Sequence, residues 1–80
     1  MYVKSQNRKY LANVTEFSIE GINNDQIWGN DRCLGVYRDE DRTIDVLNMI
    51  QDALEDGMTA QEDSEGQIFT RELVFEMPII

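Results

Sequence analysis

Between Asp39 and Gly57 the apolar residues recur at helical spacing, and no other part of the chain constrains the fold as strongly. Ile44, Leu47, Ile50 and Leu54, flanked by Val46, Met49 and Ala53, form a broad apolar stripe, while Asp45, Asn48, Gln51, Asp52 and Glu55 fall largely on the other side. Asp39 is a good N-cap, and Glu40 and Asp41 put negative charge in the first turn, where the helix dipole favours it. Gly57 stands where a C′ glycine belongs. The spacing predicts one amphipathic helix over about residues 40–56, with an apolar face that a second layer must cover.

That layer is predicted from the flanking segments, which carry period-two alternation broken by turn residues. Met1–Lys4 and Tyr10–Val14 read as two strands around the polar cluster 5–9, and Phe17 and Ile19 share one face of a third. Gly21 with Asn23, Asn24 and Asp25 is a turn cluster, and Gln26–Gly29 and Cys33–Tyr37 flank Asn30-Asp31-Arg32 as a hairpin. Residues 58–67 lack apolar periodicity and are expected to form a mobile acidic loop, and residues 68–77 a final strand that Pro78 ends. The fold class expected is α+β: a small antiparallel sheet of four to five strands packed by one amphipathic helix, the last strand returning to the sheet. The helix stripe is expected to meet Phe17, Ile19, Leu34, Val36, Leu73 and Phe75.

With 80 residues there is room for one domain, 1–80, with a small core. Apolar residues at 41% and charged residues at 29% match ordinary globular usage and exclude wholesale disorder. The single Cys33 forbids an internal disulfide and points to a reducing compartment. The segment Met1–Arg8 has no apolar leader core, and no apolar run approaches the roughly 18 residues of a membrane span. A cytoplasmic protein is the expectation, with no membrane association.

The charge is uneven. Residues 1–19 carry Lys4, Arg8 and Lys9 against Glu16, whereas residues 20–80 carry four arginines against fifteen carboxylates, so the net charge of −9 arises after the first strands. Such a field disfavours direct binding to nucleic acid, which depends on lysine and arginine neutralising phosphates. It favours a basic protein partner, while a solvated face that keeps the protein soluble is the commoner explanation of such a charge.

No catalytic, metal-binding or cofactor signature emerges. There is no histidine to activate Cys33 or a serine, and Cys33 reads as a small core or strand residue. The carboxylates Asp39, Glu40 and Asp41 are explained by capping, and neither Asn23–Asp31 nor Glu62–Glu65 has the alternating oxygens, central glycine and closing glutamate of a calcium loop. The five glycines are too scattered to cradle a phosphate. The chain is therefore expected to be no enzyme, to carry no cofactor and to have no small-molecule substrate.

Aromatic residues are the remaining candidates, since exposed aromatics anchor protein interfaces. Trp28, Tyr2, Tyr10 and Tyr37 are the residues so identified. Adjacent strand residues point oppositely, so either Ile27 or Trp28 faces away from a one-sided core; Trp28 is then core or edge packing, or part of an interface. The partner expected is another protein or a second copy of the chain, as in a homodimer. The alternative is an acidic inhibitor that mimics nucleic acid and occupies a basic site on a host or defence protein.

Three stretches carry a resemblance. Val3-Lys4-Ser5-Gln6-Asn7 followed by Leu11-Ala12-Asn13-Val14, then Leu34-Gly35-Val36-Tyr37 leading to Arg42–Gln51, and the terminal Val74-Phe75-Glu76-Met77-Pro78 resemble small uncharacterised proteins of Gram-positive bacteria and their phages and prophages. The resemblance implies a cytoplasmic accessory protein and brings no catalytic residues with it.

Overall fold

The computed structural model describes the backbone of residues 1–55, 58–62, 68–72 and 74–80, and the side chains of 1–55 and 74–80. In chain order the elements are β1 (Tyr2–Lys4), β2 (Leu11–Asn13), β3 (Ser18–Glu20), β4 (Gln26–Gly29), β5 (Arg32–Val36), α1 (Glu40–Glu55), β6 (Met58–Glu62), β7 (Ile68–Glu72) and β8 (Val74–Glu76). The fold class is α+β. Among the described residues, no helix is long and apolar enough to cross a membrane.

The helix begins as its cap dictates. Asp39 Oδ1 accepts the Arg42 backbone N–H at 2.8 Å, and the Thr43 N–H and hydroxyl both donate to the Asp39 carbonyl, at 3.1 and 2.7 Å. With its hydroxyl held in this way, Thr43 takes a fully buried place on the inward meridian beside Val46 and Ile50. Leu47 and Ala53 are half-buried, whereas Ile44, Met49 and Leu54 are exposed. The buried line thus runs one residue earlier than the expected Ile44–Leu47–Ile50–Leu54 line. The apolar stripe is wider than the small layer beneath it can cover.

That layer is not one sheet of four to five strands. β2, β1 and β8 form one three-stranded sheet, β3, β4 and β5 a second, and β6 pairs with β7 as a separate hairpin. The break follows β2: Val14 is still tied to Met1 by a 2.7 Å backbone bond, and the chain then leaves the first sheet, so pairing of the third strand starts only at Ser18. The expectation of purely antiparallel neighbours also fails. β1 pairs with β2 antiparallel, Val3 opposite Ala12, but with β8 parallel, Val3 opposite Phe75. A parallel pair needs a long crossover, and here most of the chain serves as one.

The segment expected as a loop contains β6, whose Ala60 lies opposite Thr70 of β7, and residues 63–67 lie outside the described residues. The expected final strand is divided: β7 joins the hairpin and only β8 returns to β1. Phe75 is half-buried and Met77 fully buried, as the alternation predicts, while Leu73 lies outside the described residues.

The β4–β5 turn holds Asn30 and Asp31 at φ 53° and 59°, the two left-handed positions of a type I′ hairpin closed by Gly29 opposite Arg32. Beyond it, Ile27 pairs with Gly35 but Trp28 with Cys33, which leaves Leu34 as the extra residue of a β-bulge. Its carbonyl, freed from the ladder, accepts the Gln6 backbone N–H at 2.8 Å, and this bond ties the chain after β1 to the edge of the second sheet. The bulge resets the parity of β5. Leu34 is buried, but Val36 is 50% exposed and does not meet the helix, and Cys33 is exposed rather than in the core.

The core comprises Val3, Val14, Ile27, Leu34, Tyr37, Val46, Ile50 and Met77, with Met1, Tyr10, Phe17, Leu47 and Phe75 packed around it. Both three-stranded sheets and the helix contribute.

Candidate functional site

The alternation of β4 places Ile27 and Gly29 inward, both buried, and turns Gln26 and Trp28 outward. Trp28 therefore stands on the outer face of the second sheet, opposite Ser18 of β3 and Cys33 of β5. It is half-buried. Its indole N–H donates to the Gln26 side-chain oxygen at 2.8 Å, two residues back on the same face.

A cleft of about 400 Å³ opens at this indole, lined by Glu16, Phe17, Ser18, Glu20, Trp28, Gly29, Asn30 and Asp31. The residues around Trp28 come from three sources: the segment that crosses between the sheets, β3, and the I′ turn. Gly29 allows the first to come so near. A Cβ at this position would stand 2.6 Å from Val14 Cγ1, 3.0 Å from Leu34 Cδ1 and 3.1 Å from the Glu16 carbonyl oxygen. Only a hydrogen fits there. Glycine thus lets the Glu16 backbone pack against β4 next to Trp28.

The cleft has an aromatic interior, Trp28 and Phe17 both being half-buried, and an acidic rim of the exposed Glu16, Glu20 and Asp31. Among the described residues, no lysine or arginine lines it. Among the described residues the one ion pair within 4 Å is Arg38–Asp39, at 3.6 Å and elsewhere on the surface. Among those residues, too, no group of three carboxylate or cysteine side chains is arranged to hold a metal ion.

The three tyrosines go elsewhere. Tyr2 is 40% exposed on the outer face of the first sheet, with Val74 opposite it, so it remains available at a surface. Tyr10 is half-buried beneath the Arg32 guanidinium, whose carbon lies 4.5 Å from the ring centroid. Tyr37 is only 5% exposed, and its ring lies over Gly35, where a Cβ would be 2.7 Å from the phenol oxygen. It is a core residue. Burial pushes the Tyr37 phenol up to about 12, against the opposing pull of Arg42 and Arg8, and the hydroxyl donates to the Pro78 carbonyl at 3.0 Å.

That last bond belongs to a clamp that sequence reading did not reveal. Four consecutive carbonyls of the extended segment 77–80 each accept a side-chain donor: Met77 from Arg8 at 3.0 Å, Pro78 from Tyr37, Ile79 from Gln6 at 2.7 Å and Ile80 from Arg42 at 2.8 Å. Gln6 also exchanges two bonds with Val36, accepting its N–H and donating to its carbonyl, both at 2.9 Å. Its side-chain amide imitates a peptide unit at the edge of β5. The donors come from loops, strand ends and the first helical turn, so no local pattern marks them as a set.

The cleft and the clamp are both built from several elements, and the clamp's donors are already occupied by the chain's own carbonyls. Comparison of the chain with protein-family models, with curated proteins and with solved structures yields no match, so the reading of the Trp28 cleft stands on its geometry.

Proposed function

We propose that this chain is a non-enzymatic protein-interaction module, a cytoplasmic accessory protein of the phage or prophage kind, that engages another protein or a second copy of itself at the Trp28 cleft. The observation that carries the reading is the half-buried indole of the chain's single tryptophan, set in an open cleft with its N–H already satisfied inside the chain. A partly exposed tryptophan on a rigid strand loses little entropy on contact and offers a large area to bury. The phage context is supported by the sequence resemblance alone.

The test compares the protein with its Trp28→Ala variant in affinity capture from a host lysate and in sedimentation over a range of concentrations. Capture or self-association that disappears in the variant, with an unchanged circular dichroism spectrum, supports the reading. A strict monomer that retains no protein, or retention that ignores the substitution, overturns it.

A second reading is favoured by the helix. Asp41, Asp45 and Asp52 are all exposed, and their i, i+4, i+11 spacing aligns them on the meridian opposite the buried line, about 6 and 10 Å apart by helical rise. Such a row suits an acidic inhibitor that occupies a basic nucleic-acid-binding site. Replacing the three by asparagine would then abolish inhibition, whereas Trp28→Ala would leave it intact.

A further inference from the structure

Resting on the interaction-module reading, we infer that the Trp28 cleft takes an arginine side chain from a basic peptide segment of the partner. Charge and ring chemistry converge on this occupant. The indole N–H is spent on Gln26, so what Trp28 offers a ligand in the cleft is its π-system rather than a hydrogen-bond donor. A π-face attracts cations, and a guanidinium best, because its plane stacks on the ring while its edge remains free to donate. The same lining carries Glu16, Glu20 and Asp31, acceptors with no lysine or arginine among the described lining residues to neutralise them. Carboxylate and guanidinium match as planar, bidentate partners. A neutral or acidic insert would gain nothing from the three carboxylates of the lining. The molecule already contains the same contact, since Arg32 lies over the Tyr10 ring at 4.5 Å.

An open cleft of about 400 Å³ accommodates one long side chain and leaves the flanking peptide at the surface. Basic residues on either side of the inserted arginine would add long-range attraction to a chain of net charge −9 and speed the encounter.

Because the chain has a single tryptophan, its emission reports this cleft alone. The probe is an arginine–glycine repeat peptide, titrated into the full chain beside an otherwise identical peptide in which citrulline, neutral and nearly isosteric, replaces arginine. The expected result is a saturable change in emission with the arginine peptide, at least tenfold weaker binding of the citrulline peptide, and a comparable loss in the Glu16→Gln, Glu20→Gln, Asp31→Asn triple variant. Those three side chains are exposed, so the variant keeps the fold, as circular dichroism would verify. Calorimetry on Trp28→Leu should likewise show at least tenfold weaker binding. Equal affinity for both peptides, or undiminished affinity in the triple variant, overturns the inference. Undiminished affinity in Trp28→Leu also overturns it, since a diffuse acidic surface would then account for the binding. If the arginine peptide fails while partner capture remains dependent on Trp28, the inference falls and the interaction module stands; if capture ignores Trp28, the module reading itself falls.

Discussion

Replacing Gly29 with alanine tests whether close packing, rather than backbone conformation, shapes the cleft. The Gly29 backbone is not in the left-handed region; among the described glycines, Gly21 alone has a positive φ, at 95°. In open space a Gly→Ala exchange at such a position would stabilise the fold by about 0.4–1 kcal/mol, because it restricts the unfolded chain. Here the new methyl would stand 2.6 Å from Val14 Cγ1 and 3.0 Å from Leu34 Cδ1, and both side chains are 1% exposed, with no room to retreat. Carbon atoms in contact prefer separations of about 3.5–4.0 Å, so the methyl intrudes by roughly 1 Å. Overpacking of this kind costs about 1–3 kcal/mol, and it outweighs the entropic gain. A domain of this length has a stability of roughly 4–12 kcal/mol, so the loss is a substantial part of it. A net cost of about 1–2 kcal/mol corresponds to a fall in Tm of some 5–15 °C. Urea unfolding followed by circular dichroism measures the change, and the emission of Trp28 reports whether the Glu16–Phe17 segment has moved away. Val14→Ala in the same chain should relieve the crowding, so the double variant should be more stable than the two single costs imply. Gly29→Ala at or above the stability of the parent chain would refute the packing account, as would strict additivity of the two substitutions.

Gln6→Glu removes two donors and sets an ionised oxygen against the carbonyls of Val36 and Ile79, which should cost about 1–3 kcal/mol at pH 7; the deficit against the parent chain should shrink in urea melts near pH 4, where the new carboxyl protonates and can donate. Tyr37 titrates near 12 when folded and near 10 when unfolded, so its contribution is complete below pH 10 and is lost as pH rises towards 12. A two-unit shift corresponds to at most about 2.7 kcal/mol, and less for this part-buried hydroxyl. Tyr37→Phe should remove that part of the alkaline loss and cost about 0.5–1.5 kcal/mol at neutral pH for the Pro78 hydrogen bond, both measurable from unfolding midpoints between pH 8 and 11. Asp39→Ala deprives the Arg42 N–H of its acceptor and should cost about 1 kcal/mol, whereas Asp39→Asn should retain most of it.

Local chemistry made several elements legible from the residues alone. The helix was expected over 40–56 and is found at Glu40–Glu55, with Asp39 as its cap. The hairpin about Asn30 and Asp31 was marked by residues that tolerate positive φ. Trp28 was recognised as a residue in a choice with Ile27, and burial resolved it: Ile27 is inside and Trp28 at the surface. Val36 was expected beside Leu34 against the helix, but the bulge at Leu34 turns it to the surface and Tyr37 inward, since one extra residue reverses every later side chain. Strands of three residues, as β1, β2, β3 and β8 are, carry too little alternation to reveal which sheet they join. The acidic excess was plain in composition, but its meeting with an indole at one cleft was not.

By itself, then, the sequence determined the amphipathic helix and its cap, the turns, the α+β class and the sign of the surface charge. Each of these depends on interactions within a few residues, where spacing and residue type decide the outcome. Tertiary structure decided that β1 and β8 close a sheet in parallel, that Thr43 rather than Ile44 leads the buried helix line, and that Glu16, Glu20 and Asp31 line one cleft with Trp28. Those outcomes depend on contacts across loops and between layers, such as Gly29 against Val14 and Gln6 against Val36. Their energy is gained only when distant segments pack together, and no local period records it.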